Sequence, residues 1–186
     1  NPFDRVKSPV RVLPRERILN REELLAVWNA ASSISYPFGP IHQLLILTGQ
    51  RLREIAHARW SWIDEQAKTL QIPGSFYKNG RPHIVPLTPG AWAIIEKLPR
   101  WVGGDYLFST DGGQTPVCGF SNAKERLDKI TAAELKKRGL DPDAMAPWVV
   151  HDLRRTVRSG LSRLGVDIVT AELVIGHKLK GVVGVY

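Results

Sequence analysis

His151-Asp152-Leu153-Arg154-Arg155-Thr156 opens the last stretch of the chain, Ile175-Gly176-His177 lies near its other end, and Tyr186 closes it. From Asp152 to Leu164 the apolar residues recur at helical spacing. Leu153, Val157, Leu161 and Leu164 fall within about 80° of one another at about 100° per residue. His151 and Arg154, about 60° apart on the same wheel, sit beside that stripe. Such a place is the rim of a core, where charges are held still and poorly screened. Gly165 should end this helix. Asp167 is placed to cap the next, which carries Ile168, Val169, Leu173, Val174 and Ile175. Gly176 then terminates it and leaves His177 exposed just past a helix end. Two histidines, an arginine one turn from the first, and a terminal tyrosine suit phosphate chemistry.

A second cation belongs with this set. Leu44-Leu45-Ile46 makes the helix from Ile41 to about Leu47 almost continuously apolar, so it should lie deep in the core. It stops at Thr48-Gly49, and Arg51-Leu52-Arg53-Glu54-Ile55 starts another helix at once. Arg51 would then sit in the first turn of a short helix on rigid scaffold, with Glu54 three residues on within reach of the same face. An ordinary surface Arg-Glu pair would read the same way. A basic residue fixed to a core helix is nevertheless what a preorganised phosphate clamp requires.

Between these stretches lies a small β region. Trp60 to Ile63 and Thr69 to Ile72 are short and alternating, separated by the polar turn Asp64 to Lys68. Phe76-Tyr77-Lys78 and Pro82 to Leu87 flank Asn79-Gly80, a strong hairpin signal. Lys78 therefore stands at a hairpin tip, serving either solubility or as a mobile cation that can enter a site and deliver a proton. Thr88-Pro89 starts a helix to about Leu98, Tyr106 to Phe108 is extended, and Ser121 to Arg138 reads as a packing helix with a solvated basic face. Near the start, Asn20 and Glu23 have the layout of a capping box ahead of Leu24, Leu25, Val27 and Trp28.

Residues 1–19 read as a basic arm or interdomain linker. Pro2, Pro9 and Pro14 break any helix, and Lys7 and Arg11 are among its cations. It is either a solvated terminus or a strap along a phosphate backbone. With 186 residues, 43% of them hydrophobic, the chain can bury one core. Cys118 is the only cysteine, and the five histidines are scattered, which excludes an internal disulfide and any zinc-type Cys/His spacing. No run approaches the roughly 18 apolar residues of a membrane span. A formal net charge of +8 points to a polyanion, most economically nucleic acid.

The ordered set Thr48-Gly49-Gln50-Arg51-Leu52-Arg53-Glu54, Lys78 at a hairpin, His151-Asp152-Leu153-Arg154, Ile175-Gly176-His177 and Tyr186 nine residues later resembles the tyrosine recombinases, most of all their phage-integrase branch. The resemblance spans about Arg17 to Tyr186. It implies a mainly α fold with a small antiparallel sheet (α+β), in a catalytic domain over residues 20–186. Ile175 stands where the family more often has Leu. The helical core-binding domain that precedes this one in relatives, and the tail that follows the tyrosine, are not in the sequence.

The same resemblance implies a site-specific recombinase acting on double-stranded DNA at attachment-type sites, in the bacterial cytoplasm. Tyr186 would be the nucleophile, leaving a 3′-phosphotyrosyl enzyme. Arg51 and Arg154 would grip the non-bridging oxygens, Lys78 would protonate the departing 5′-oxygen, and His151 would accept the tyrosine proton. His177 would donate a hydrogen bond to the phosphate, and Glu54 would orient its neighbours. Lys7, Arg11, Arg81 and Arg155 are further candidates for DNA contact. Neither metal nor cofactor nor ATP is expected. Relatives act as homotetramers on DNA; this domain alone is expected to be a monomer that binds DNA weakly and salt-sensitively. A type IB topoisomerase-like enzyme, or a catalytically silent DNA-binding relative, would share much of this pattern.

Overall fold

Helix α1 (Arg21–Ser33) begins where local chemistry sets it: Asn20 Oδ1 accepts from the Glu23 amide at 2.9 Å, and Glu23 Oε2 accepts from the Asn20 amide at 2.8 Å. Two of the four orphan donors at the helix start are thereby satisfied. The structure is a computed structural model, and it describes residues 16–76 and 80–177. Ala26, Val27, Ala30 and Ala31 form the buried face of α1, which packs on α2 (Phe38–Thr48) and on α5 (Phe120–Lys137). Just ahead of α1, Leu19 lies in the core and its amide donates to Thr156 Oγ1 at 2.9 Å.

Helix α2 is the pivot of the domain. Its buried Ile41, Leu44 and Leu45 contribute to the core, and it packs against α1, α4 (Pro89–Ile95), α6 (Val150–Arg163) and the short α3 (Leu52–Ala56). It ends at Gly49, where φ is +65°. A Cβ there would lie 2.9 Å from Val157 Cγ1 and 3.2 Å from Ile175 Cγ2. Glycine is needed twice over, for the left-handed turn and for the close approach of two elements.

The sheet is three-stranded and antiparallel, in the order β1 (Ile63–Asp64), β2 (Thr69–Ile72), β3 (His83–Pro86). Its register pairs Ile63 with Leu70 and Ile72 with His83. Two sequence expectations change here. Trp60–Trp62 is a 3-10 turn rather than the start of a strand. Asp105 winds it: its carbonyl takes the Trp60 amide at 2.7 Å, and its carboxylate takes the Ser61 amide and hydroxyl at 2.9 and 2.7 Å. Strand β3 also pairs with Thr69–Ile72 rather than with a strand beginning at Phe76. Pro73 has no amide to extend the ladder, Gly74–Phe76 forms a 3-10 turn, and a Cβ on Gly74 would overlap the Gly80 carbonyl. Residues 73–82 therefore form a longer connection, of which 77–79, Lys78 included, lie outside the described residues.

At the far end, α6 and α7 (Ile168–Val174) follow the expected caps. Asp167 accepts from the Thr170 amide at 2.9 Å, and Gly165 and Gly176 take φ of +80° and +67°. The helix, however, runs out before the apolar stripe does. Leu153 is fully buried, but Leu164 is 82% exposed. Helix α6 ends at Arg163, and the turn at Gly165 carries Leu164 away from the core. In α7 and its cap only Ala171 and Ile175 are buried, while Ile168, Val169 and Leu173 face outward. No helix among the described residues is long and apolar enough to cross a membrane.

Candidate active site

Arg51 is the N-cap of α3, one residue outside the helix rather than within its first turn. Glu54 holds it in place twice. One carboxylate oxygen accepts from the Arg51 amide at 2.8 Å, and the other accepts from Nη1 at 2.6 Å. The Glu54 side chain is only 6% exposed, whereas Arg51 remains 41% exposed. The carboxylate is a buried anchor, and the guanidinium it holds stays partly exposed. Arg51, Arg53, Glu54, His57, Ser75 and Phe76 line a cleft of about 470 Å³.

The second arginine arrives from α6. Arg154 is buried to 3% exposure, and Nη1 donates to the Gly49 carbonyl at 2.9 Å. A residue far away in sequence thus ties the end of α2 to α6, two residues before Arg51. Buried guanidinium groups are positioned at a desolvation cost and interact strongly with any anion they meet. Next to it, Asp152 is fully buried, accepts from the Val149 amide at 2.9 Å, and pairs with Arg155 at 2.6 Å. Arg155, a candidate for DNA contact, is therefore engaged with the α6 N-terminus. Arg81 lies exposed beside β3, while Lys7 and Arg11 lie outside the described residues.

His151 occupies the first turn of α6 with its side chain exposed. Desolvation against its neighbours holds the imidazole below its ordinary value, and the charges of Arg155, Arg154 and Arg51 add to that effect. Asp152 pulls the other way and does not prevail. A helix N-terminus also disfavours a cation. The ring is therefore neutral at pH 7, the state that accepts a proton. The charges of Arg51 and Arg154 both reach the ring, which stands in the first turn of the helix that carries Arg154.

His177 lies just past α7, 44% exposed, with Nδ1 bonded to Glu172. Glu172 also accepts from Arg158 Nε at 2.6 Å. Burial alone would raise the Glu172 carboxyl, but the hydrogen bonds from Arg158 and His177 keep it below its ordinary value. Tyr186 lies outside the described residues.

Residues that sequence reasoning passed over complete the surroundings. Gln50 Nε2 donates to the Val174 carbonyl at 2.9 Å, tying the Arg51 loop to the end of α7. His83 at the start of β3 hydrogen-bonds the same carbonyl; burial depresses its imidazole, with Glu54, Arg154 and Arg51 all near enough to act on it. The motif neighbours were the only available signal for Gln50. His83 gave none, because its place depends on how the sheet folds against α7. Among the described residues, no group of three or more His, Cys, Asp or Glu side chains could hold a metal ion.

A helical domain with a three-stranded antiparallel sheet, and arginines brought together at the α2–α3 junction and the α6 N-terminus, has the architecture of a tyrosine recombinase catalytic domain. The chain aligns with the lambda integrase catalytic core at a TM-score of 0.61 and 18% identity, covering 86% of this chain and 94% of that one. A lambda integrase dimer bound to a COC′ core site aligns at a TM-score of 0.66 and 20% identity, over 91% of this chain and 60% of that one. Residues 17–186 match the family model described as the phage integrase family, and the chain belongs to that family. Among curated relatives, prophage integrase IntF of Escherichia coli K12 is 34% identical over 91% of this chain and 34% of its own length. Prophage integrase IntZ of the same strain is 39% identical over 77% of this chain and 33% of its own length. The chain thus spans about a third of the length of these relatives.

Proposed function

We propose that this chain is the catalytic domain, over residues 20–186, of a site-specific DNA recombinase that breaks and rejoins DNA through Tyr186. The observation that carries the reading is the Arg154–Gly49 hydrogen bond, which brings Arg154 to the Arg51 loop beside a neutral His151, within a chain matched to the family along residues 17–186. Arg51 and Arg154 present their forks to the non-bridging oxygens of the scissile phosphate and stabilise the charge that grows in the transition state. His151 takes the phenolic proton, since a phenol with pKa near 10 is a weak nucleophile until it is deprotonated. The phenolate attacks phosphorus, the bond to the 5′-oxygen breaks, and Lys78 supplies the proton that the departing oxygen needs. His177 donates a hydrogen bond to the phosphate.

The phosphotyrosyl ester conserves the energy of the broken bond, so a new 5′-hydroxyl can reverse the sequence without ATP. Cationic side chains take the part that a metal ion plays in other phosphoryl-transfer sites. Residues 1–19 serve as a basic strap to a preceding DNA-binding domain, and four subunits act on two DNA sites. This assembly is supported by analogy with lambda integrase, which has been crystallised as a tetramer bound to a Holliday junction.

The test is covalent trapping in EDTA, with full-length protein and nicked duplexes taken from around its own gene. Protein tethered to a 3′ end, with a free 5′-hydroxyl opposite, is the expected product; linkage to a 5′ end would overturn the reading. The same assay run against pH examines His151. Its depressed imidazole is already neutral above its ordinary value of 6.5. Adduct formation should therefore be on its plateau at pH 7 and fall only as pH drops below about 6.5, an acid limb that His151→Gln removes. Relaxation of plasmids without a recombination site would instead indicate topoisomerase-like action.

A further inference from the structure

Helix α7 ends in a fold-back. The His177 amide donates to the Glu172 carbonyl and the Gly176 amide to that of Leu173, both at 2.9 Å, with Gly176 in the left-handed region. This is the six-to-one geometry of a glycine-terminated helix. It lays the His177 ring over the Glu172 side chain, whose Oε2 bonds Nδ1. Oε1 of the same carboxylate takes Arg158 Nε at 2.6 Å, and Arg158 in turn bonds Ser162. The other side of the turn is tied down at the Val174 carbonyl by Gln50 and His83. His177 is therefore held by backbone and side chain together. With Nδ1 committed to a carboxylate, the ring has Nε2 left to offer, and it donates from Nε2 when both nitrogens carry protons.

We propose that Glu172 is a positioning residue for DNA cleavage: anchored by Arg158, it fixes the His177 ring so that Nε2–H is directed at the scissile phosphate. The proposal rests on the role given above to His177. Glu172 touches neither the DNA nor the reacting atoms; it acts through the histidine, as a carboxylate does when it orients a ligand histidine from behind. Arg158 completes the device by neutralising the carboxylate on the side away from the ring.

A double-mutant cycle in the full-length protein tests this, with the rate of covalent adduct formation as the readout and thermal melting followed for each variant. Glu172→Ala is expected to slow adduct formation by about 10- to 100-fold, and His177→Ala by at least as much. Glu172→Ala added to His177→Ala should cost nothing further, because its effect passes through the missing ring. Glu172→Gln keeps an acceptor oxygen and should recover most of the loss. A merely structural carboxylate would lower the melting temperature and slow both backgrounds alike. Such additivity, or an unimpaired Glu172→Ala beside an impaired His177→Ala, overturns the proposal and leaves His177 in place. An unimpaired His177→Ala removes the histidine from the reaction and the proposal with it. Should Glu172→Ala not fold, Glu172→Met, which keeps the length of the side chain but offers the ring no acceptor oxygen, closes the same cycle.

Discussion

Arg154→Lys should slow covalent cleavage by about a thousandfold while leaving the domain folded. Arg154 uses one arm of its fork on the Gly49 carbonyl, 2.9 Å away, and is otherwise sealed into the structure at 3% exposure. A lysine keeps the charge and the aliphatic stem. It cannot present a planar pair of donors, nor hold that carbonyl and a phosphate oxygen in one fixed geometry. Loss of a single preorganised donor to a developing oxyanion costs about 100- to 1000-fold. Here orientation suffers as well, which places the expected loss at the upper end. The Gly49 carbonyl forfeits at most one hydrogen bond, about 1 kcal/mol, so melting should fall by only about 2–4 °C. Single-turnover trapping and a melting curve on the same preparation separate the two effects. A conservative variant that cut at the original rate would remove Arg154 from the site.

Glu54→Ala should lower the cleavage rate by about 10- to 100-fold and destabilise the fold by about 1 kcal/mol. The two losses have different origins. The stability loss is that of a helix cap, since Glu54 accepts from the Arg51 amide at the start of α3. The rate loss is that of an aimed guanidinium, since the other oxygen holds Arg51 Nη1 at 2.6 Å. Glu54→Gln retains an acceptor for one of these donors but not the charge. It should therefore restore more stability than rate. Equal recovery of both would mean that Glu54 is a cap and nothing more.

What could be read from the sequence was what depends on near neighbours. The Asn20–Glu23 cap, the Arg51–Glu54 pair and the His151–Arg154 spacing each span three residues, and the structure forms the first two as hydrogen-bonded pairs. The stop at Gly49 was likewise visible, because a left-handed terminus leaves a mark in composition. Contacts between distant segments left no such mark. Nothing in the order of residues says that Arg154 will meet Gly49, or that Gln50 and His83 will share the Val174 carbonyl. Glu172 and His177 are five residues apart, a spacing that puts them on different faces of a continuous helix. They meet only because Gly176 turns the chain back. Periodicity also misled where an element stopped early. Leu164 has the right phase for the core but lies beyond the last turn of α6, and Trp60 to Trp62 alternates like a strand although Asp105 winds it into a turn.

The decisive measurement is the identity of the residue joined to DNA. Adduct trapped on a nicked duplex would be digested with nuclease and protease, and the nucleotide-bearing peptide sequenced by mass spectrometry. The expected peptide carries its 3′-nucleotide on Tyr186, and a Tyr186→Phe protein yields none. A nucleotide on any other tyrosine, on a serine, or joined through a 5′-phosphate would contradict the assignment of Tyr186 as the nucleophile.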